Sequence, residues 1–359
     1  MTTHKNYRFN PPPTMRAAVY DRFGGPEVVR LSEMAVPRPG PTDILIQVVA
    51  STVSAADHRM LARDLPPGIG LLAMPVVGLL RPRRRVLGMD FAGTVVAVGK
   101  DVTLFAPGDE IVGMTGSAFG GHAEFLVLPQ SAAIAIKPPD LDHKEAVALV
   151  FGGHTISECV RRRTIRSGDK VLVNGGSGAV GSAAVQVARH FGARVTAVGS
   201  LDNAALLASL GAERIIDYRA EDFAAGDETY DIVLDCVGNA PFSRVDRIIK
   251  PAGALLQVVA DFGALVRAKG HTRRSGKLVA PISFTPAASD VAFAIRLYLE
   301  GGLKPVIDRT YPLNDIVEAH RYVDTGRKRG SVVVQIGCET MVRCSIHGTA
   351  RTHAMAEGT

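Results

Sequence analysis

Cysteine is scarce and poorly placed for covalent structure. The 359-residue chain has four, Cys159, Cys236, Cys338 and Cys344, and no CxxC pair. That spacing excludes a disulfide framework and a zinc knuckle. The opening "MTTHKNYRFNPPPT" has no apolar core, so no signal peptide is read there. Long hydrophobic runs are missing too. The longest, "LPPGIGLLAMPVVGLL", contains Pro66, Pro67 and Pro75 and is too broken to cross a bilayer. A buried loop is the plain expectation for it; contact with a membrane surface or a cover over a substrate cleft are the alternatives. No aromatic residue interleaves the basic clusters Arg81/Arg83/Arg84/Arg85 and Arg161/Arg162/Arg163/Arg166. The net charge of +6 is therefore read as solvated or anion-facing surface, able to attract an anionic cofactor, with no nucleic-acid partner. No internal repeat is seen. A cytoplasmic protein of a reducing compartment, without an integral membrane segment, is the expectation.

What is present is ample apolar content, 47%, in a chain too long for one ordinary core. The first part reads as β. "MRAAVYDRF", "DILIQVVAS" and "HAEFLVLP" are strand candidates, and "FAGTVVAVGKDVTLFAPGDEIVGM" reads as two strands with a turn at Pro107-Gly108. Near Asp142 the rhythm changes. Asp142 and Glu145 have capping-box spacing before a helical pattern. Strands "KVLVN", "RVTAVG", "RIIDY", "YDIVLDCVG" and "GALLQVVA" then alternate with helical segments, which implies right-handed βαβ units and a parallel sheet. The fold class expected is α/β, a doubly wound parallel sheet plus a β-rich lobe. A final strand, "GSVVVQIG", is expected to pair back into the first lobe. "GALLQVVA" would support a homodimer if it lay at a sheet edge, though an internal strand would look the same.

Gly176-x-Gly178-x-x-Gly181 stands between the strand "KVLV" and the helix that opens at Ala179 and Val180. In that setting one glycine permits the tight turn, another lets backbone approach a pyrophosphate, and a third lets helix and sheet pack closely. The helix start offers free N–H groups and a positive dipole end. Ser177 belongs to the same loop. An NAD site places a carboxylate at the end of the second strand. Here Gly199 and Ser200 stand there, and Asp202 is expected to cap the next helix instead. A small neutral pair leaves room for a 2′-phosphate, with Tyr218 and Arg219 as further contacts, so NADP(H) is preferred over NAD(H). Cys236, Val237 and Val259, at the ends of later strands, are expected on the nicotinamide side.

The ordered set "LGMDFAGTVVAVGKDVTLFAPGDEIVG", "GGSGAVG" and "DRTYPLNDIVEAHRYVDTGRKRGSVVV" resembles the medium-chain dehydrogenase/reductase superfamily, over roughly residues 15–336. The resemblance implies a GroES-like catalytic domain, a Rossmann domain, and a nicotinamide between them. The expected division is an N-terminal arm over 1–14, the GroES-like domain over 15–145, the Rossmann domain over 146–285, a return segment over 286–337 that completes the catalytic domain, and a disordered tail over 338–359.

Many members hold a catalytic zinc. Here the first cysteine ligand maps onto Ser54, the His-Glu pair onto Met89-Asp90, and the next cysteine near Gly152-Gly153. Serine, methionine and glycine make a poor tetrahedral zinc site. The resemblance is thus to the zinc-less, quinone-oxidoreductase-like branch. It implies hydride transfer to a small-molecule quinone or α,β-unsaturated carbonyl, whose developing charge modest hydrogen-bond donors can hold. The alternatives are an alcohol or aldehyde dehydrogenase without metal, or a non-catalytic NADPH-binding or sensing protein. Ser54, His154 and His58 are the candidate donors or acids, and Asp57 is expected to brace the loop.

Overall fold

The protein is described from a computed structural model over residues 11–282 and 285–337; the tail and the first ten residues of the arm lie outside these. Apolar segments broken by glycine and proline set the first elements: β1 (Thr14–Val19), β2 (Arg30–Ala35), β3 (Asp43–Val53), α1 (Ala55–Ala62), α2 (Gly70–Val77), β4 (Asp90–Val98), β5 (Glu110–Met114), β6 (Phe125–Pro129) and β7 (Ala133–Ile136). Next come α3 (His143–Arg162), β8 (Lys170–Asn174), α4 (Ala179–His190), β9 (Arg194–Gly199), α5 (Ala204–Ser209), β10 (Arg214–Asp217), β11 (Tyr230–Asp235), α6 (Phe242–Val245), β12 (Ile249–Gln257), α7 (Phe262–Ser275) and β13 (Leu278–Pro281). α8 (Ala288–Leu299), β14 (Ile307–Pro312), α9 (Ile316–Asp324) and β15 (Ser331–Gln335) complete the chain.

β8 to β13 form a six-stranded sheet in the order β10-β9-β8-β11-β12-β13, every pairing parallel. Central strands such as β8 are buried on both faces, which is why they read as continuous apolar runs. The order reverses between β8 and β11, and that switch point opens a crevice at the strands' carboxyl ends. The other large sheet is seven-stranded, in the order β14-β15-β3-β4-β5-β7, with β6 also paired to β3. β15 lies antiparallel to β3, so the end of the chain returns to the first lobe as the sequence suggests.

α3 joins the two sheets. Its start is a capping box: the Asp142 carboxylate accepts the Glu145 N–H at 2.7 Å, and Glu145 accepts the Asp142 N–H. Its middle is buried against α4 and α8. Gly152 and Gly153 make these approaches possible. A Cβ on Gly152 would stand 2.6 Å from the Ala179 carbonyl oxygen, and one on Gly153 2.4 Å from the Ala294 Cβ.

One open choice is decided and two expectations need correction. "GALLQVVA" is no edge: it belongs to β12, internal between β11 and β13, and β13 holds the edge. Part of the polar stretch around Lys269 is helical, as α7, which buries only Ala268 and so shows no apolar stripe. The broken apolar run is not a buried loop. It contains α2, and beyond it Leu79 and Leu80 are exposed, Leu80 by 87%.

Candidate cofactor and substrate cleft

The glycine loop sits where β8 hands over to α4. Gly175 adopts φ +82°, which L side chains rarely adopt, so the tight turn falls one residue before the glycine the motif names. Gly181 cannot carry a side chain, since its Cβ would meet the Gly175 carbonyl oxygen at 2.0 Å. Gly178 is different. It caps α4 in extended conformation, and the nearest atom to an added Cβ is 3.8 Å away. The helix start is thus left open, as a phosphate cradle requires.

The predicted neighbours converge there. β9 and β10 run in register so that Gly199 pairs Asp217, and the Tyr218 N–H donates to the Gly199 carbonyl. The Asn203 side-chain amide donates to both Ser177 Oγ and Ser200 Oγ at 3.1 Å. Each hydroxyl keeps its own proton for a ligand. Asn203 escaped the sequence reading; its only signal was its place just after Ser200. Asp202 does not cap α5: Asn203 holds the cap position, and exposed Asp202 pairs with Arg219 at 3.2 Å. Val237 and Val259 line the cleft. Cys236 packs beside Gly175, and burial raises its pKa, so it stays a thiol.

Two further groups were missed. The buried Asp235 carboxylate accepts the N–H groups of Val237, Gly238 and Ala240 at 3.0 Å and the Asn174 amide at 2.8 Å. It shapes the loop after β11; the aspartate in "LDCVG" was the available signal. Lys328 is the second. Its ammonium donates to the Gly330 carbonyl at 2.8 Å, and burial pulls its pKa down to about 8 against the raising fields of Asp308 and Asp90. The next residues touch the glycine loop: the Gly330 N–H donates to the Ser177 carbonyl at 2.8 Å, and Gly330 bridges to Gly178.

The three proposed donors fare differently from the cofactor set. Ser54 caps α1. Its hydroxyl donates to Asp57 Oδ2 at 2.7 Å and accepts from the Ala56 and Asp57 N–H groups, so its proton is committed inside the protein. Asp57 braces the loop as expected, with its other oxygen taking the Gly88 N–H at 2.8 Å. His154 is sealed between α3 and α8, its Nδ1 3.3 Å from Asp290, with burial lowering its pKa, and it does not line the cleft. Its place on α3 points it into the helix seam. His58 faces α9, paired with Asp324 at 2.5 Å. None of the three lines the cavity.

The positions that correspond to zinc ligands hold no zinc donor set. Ser54 is occupied as a cap, Met89 offers a buried thioether, and Gly152-Gly153 offer no side chain. Asp90 alone carries a hard donor, and it is tied to Thr52 by the backbone N–H at 3.0 Å and the hydroxyl at 2.8 Å. Burial and the nearby Asp57 charge raise its pKa to about 7. These residues do not fit a tetrahedral zinc.

Between the sheets lies a cavity of about 600 Å3, the size of a small-molecule site. Its floor is the carboxyl edge of β11 and β12, including Gln257. One wall comes from α6 and α7, and the other from α1 and the loop after it.

Comparison with known proteins agrees with the two-lobed fold. Residues 40–139 match the alcohol dehydrogenase GroES-like domain, and residues 210–334 match the family described as zinc-binding dehydrogenase. The chain is 33% identical over 340 residues to a 2-methylene-furan-3-one reductase of Solanum lycopersicum, covering 90% of this chain and 79% of that one. It is 31% identical to an NADPH-dependent alkenal/one oxidoreductase of Arabidopsis thaliana, described as chloroplastic, covering 90% and 80%. The solved quinone oxidoreductase of Coxiella burnetii superposes with a TM-score of 0.80 at 27% identity, covering 90% of this chain and all of that one.

Proposed function

Since the chain belongs to the medium-chain dehydrogenase/reductase superfamily, in its quinone-oxidoreductase-like branch, we propose that it is a zinc-independent, NADPH-dependent reductase of α,β-unsaturated carbonyls or quinones. The observation that carries this reading is the pairing of an open phosphate cradle at Gly178 with a metal corner closed by internal hydrogen bonds at Ser54, Asp57 and Asp90. NADPH, when bound, supplies the hydride.

The remaining work falls to the chain. The loop from Gly175 to Gly181 and the start of α4 hold the pyrophosphate. Ser200 donates to the 2′-phosphate, with no carboxylate at the end of β9 to repel it. Lys328, half-buried and bonded to the carbonyl of Gly330, the residue that contacts the loop, adds a positive charge within the fields of Asp308 and Asp90. Val237 and Val259 give the nicotinamide end an apolar seat, positioned by Asp235. Without a metal the protein lacks the strong electrophile that alkoxide chemistry needs. An enone or quinone disperses charge over its own oxygen, and neutral donors such as the Gln257 amide suffice to hold it. The final proton comes from water in the open cleft.

The test is a panel of an enone, a quinone and a simple ketone, followed by NADPH oxidation with and without chelator. Reduction of the enone or quinone, indifferent to chelator, is expected. Preference for the ketone, loss of activity on chelation, or stoichiometric tightly bound zinc would overturn the reading. So would tight NADPH binding without turnover on any acceptor.

A further inference from the structure

We propose that the cleft selects substrates that carry an anionic group, held by Arg59 and Arg267; this rests on the reductase reading above. Arg59 comes from α1 in the first lobe and Arg267 from α7 in the second, and both line the cavity. Among the described residues neither guanidinium has a hydrogen-bond acceptor or an ion-pair partner. Arg161, Arg214, Arg244 and Arg247 bind oxygen atoms of the protein; Arg267 is exposed, as are the unpaired Arg273 and Arg274 of the same helix, whereas Arg59 is drawn inward. Arg59 is also largely withdrawn from water, and burial lowers its pKa. A desolvated charge without a partner is costly, and a ligand anion would offset that cost.

The other charged groups on the cavity do not supply the missing partner. Asp64 raises the Arg59 pKa from a distance, but its side chain is 75% exposed and makes no direct bond to it. Asp261 directs one oxygen to the Ala264 N–H at 2.6 Å, as the cap of α7. His271 stacks on Phe242 with ring centroids 4.8 Å apart and adds a further donor to the wall. Arginine's planar fork suits a carboxylate or a phosphate. The cavity lining also carries the apolar Leu65, Pro66, Val237 and Val259. The site thus fits an amphiphile, with an apolar unsaturated end beside Val237 and Val259 and an acidic tail towards the arginines. Because each lobe contributes one arginine, the tail would also tie the lobes together.

The test compares a methyl-ketone enone bearing a terminal carboxylate, insulated from the double bond by a trimethylene chain, with its methyl ester. The intact enzyme should favour the acid by roughly 10-fold or more in kcat/KM, mostly through KM. In Arg59→Ala and in Arg267→Ala the acid-to-ester ratio should fall towards one, Arg59→Lys should restore part of it, and the NADPH Kd should not follow. A ratio near one in the intact enzyme, or an unchanged ratio in both variants, overturns the proposal while leaving the reductase reading intact. Failure to reduce either compound overturns the reductase reading instead. Calorimetric titration of the NADP-loaded protein with the saturated keto acid then decides the anion site: binding lost in Arg59→Ala supports it, and absence of binding overturns it.

Discussion

The glycine loop and the Ser54 corner solve opposite problems. At the glycine loop the chain removes side chains and leaves its donors unanswered: Gly178 faces open space, and Ser177 and Ser200 accept from Asn203 while keeping their protons. At the corner of Ser54, Asp57 and Asp90 almost every polar atom is answered from within, by a helix cap, by Gly88 or by Thr52. The first region is built to receive a charged group. The second is built to hold its own shape. Residues of similar chemistry, two serines for instance, therefore play different parts according to whether their protons are already engaged.

Breaking the first region should abolish binding without unfolding the protein. Gly178→Val fills the cradle, and NADPH affinity should fall by roughly 1,000-fold while Tm stays within a few degrees; fluorescence titration and thermal melts check both. Breaking the second should do the reverse. Asp57→Ala leaves the Gly88 N–H and the Ser54 cap unsatisfied, and should cost about 2–3 kcal/mol of stability with little change in NADPH Kd. Equal losses of stability and affinity in both variants would erase the distinction.

A pH experiment sharpens it further. His320 is buried with both ring nitrogens unpartnered, and burial pushes its pKa down to about 3. The unfolded chain takes up that proton near its ordinary value of about 6.5, which the native state refuses. Stability should thus be full above pH 6.5 and fall as pH drops from 6.5 towards 3, by at most about 1.4 kcal/mol per pH unit from this group. His320→Phe should flatten that slope in denaturant titrations at successive pH values. The smallest effect belongs to Ser200→Ala, which should lower the NADPH-to-NADH preference by roughly 10-fold through one lost hydrogen bond to a charged group. An unchanged preference would remove Ser200 from the cofactor's contacts.

The cofactor end was far more legible than the substrate end, for physical reasons. A phosphate loop is written locally: glycines at fixed spacing between a strand and a helix carry their meaning without knowledge of the fold. Gly199 and Ser200 could be placed at the end of β9 by the same local logic. His154 could not be placed, because its role depends on which side of α3 meets α8, a fact set by Gly153, whose packing partner Ala294 lies more than a hundred residues away. Ser54 was read as a free hydroxyl because the strand was visible but the helix it caps was not. α7 was lost because it is amphipathic only weakly, burying Ala268 alone, and β13 because four residues before a buried edge give no periodicity. Lys328 and Arg59 carry no motif at all; their meaning comes from burial.

The contact between Gly330 and the glycine loop makes one point about mechanics. β15 is stitched along its length to β3, and the residue just before it is bonded to Ser177 and Gly178. Gly330 has no slack, because φ is +72° and a Cβ would stand 2.2 Å from the Val306 carbonyl oxygen. The last strand is therefore a tendon between one lobe's sheet and the other lobe's ligand loop. Any rocking of the lobes would be transmitted to that loop through this strand, so the link between them is covalent as well as packed.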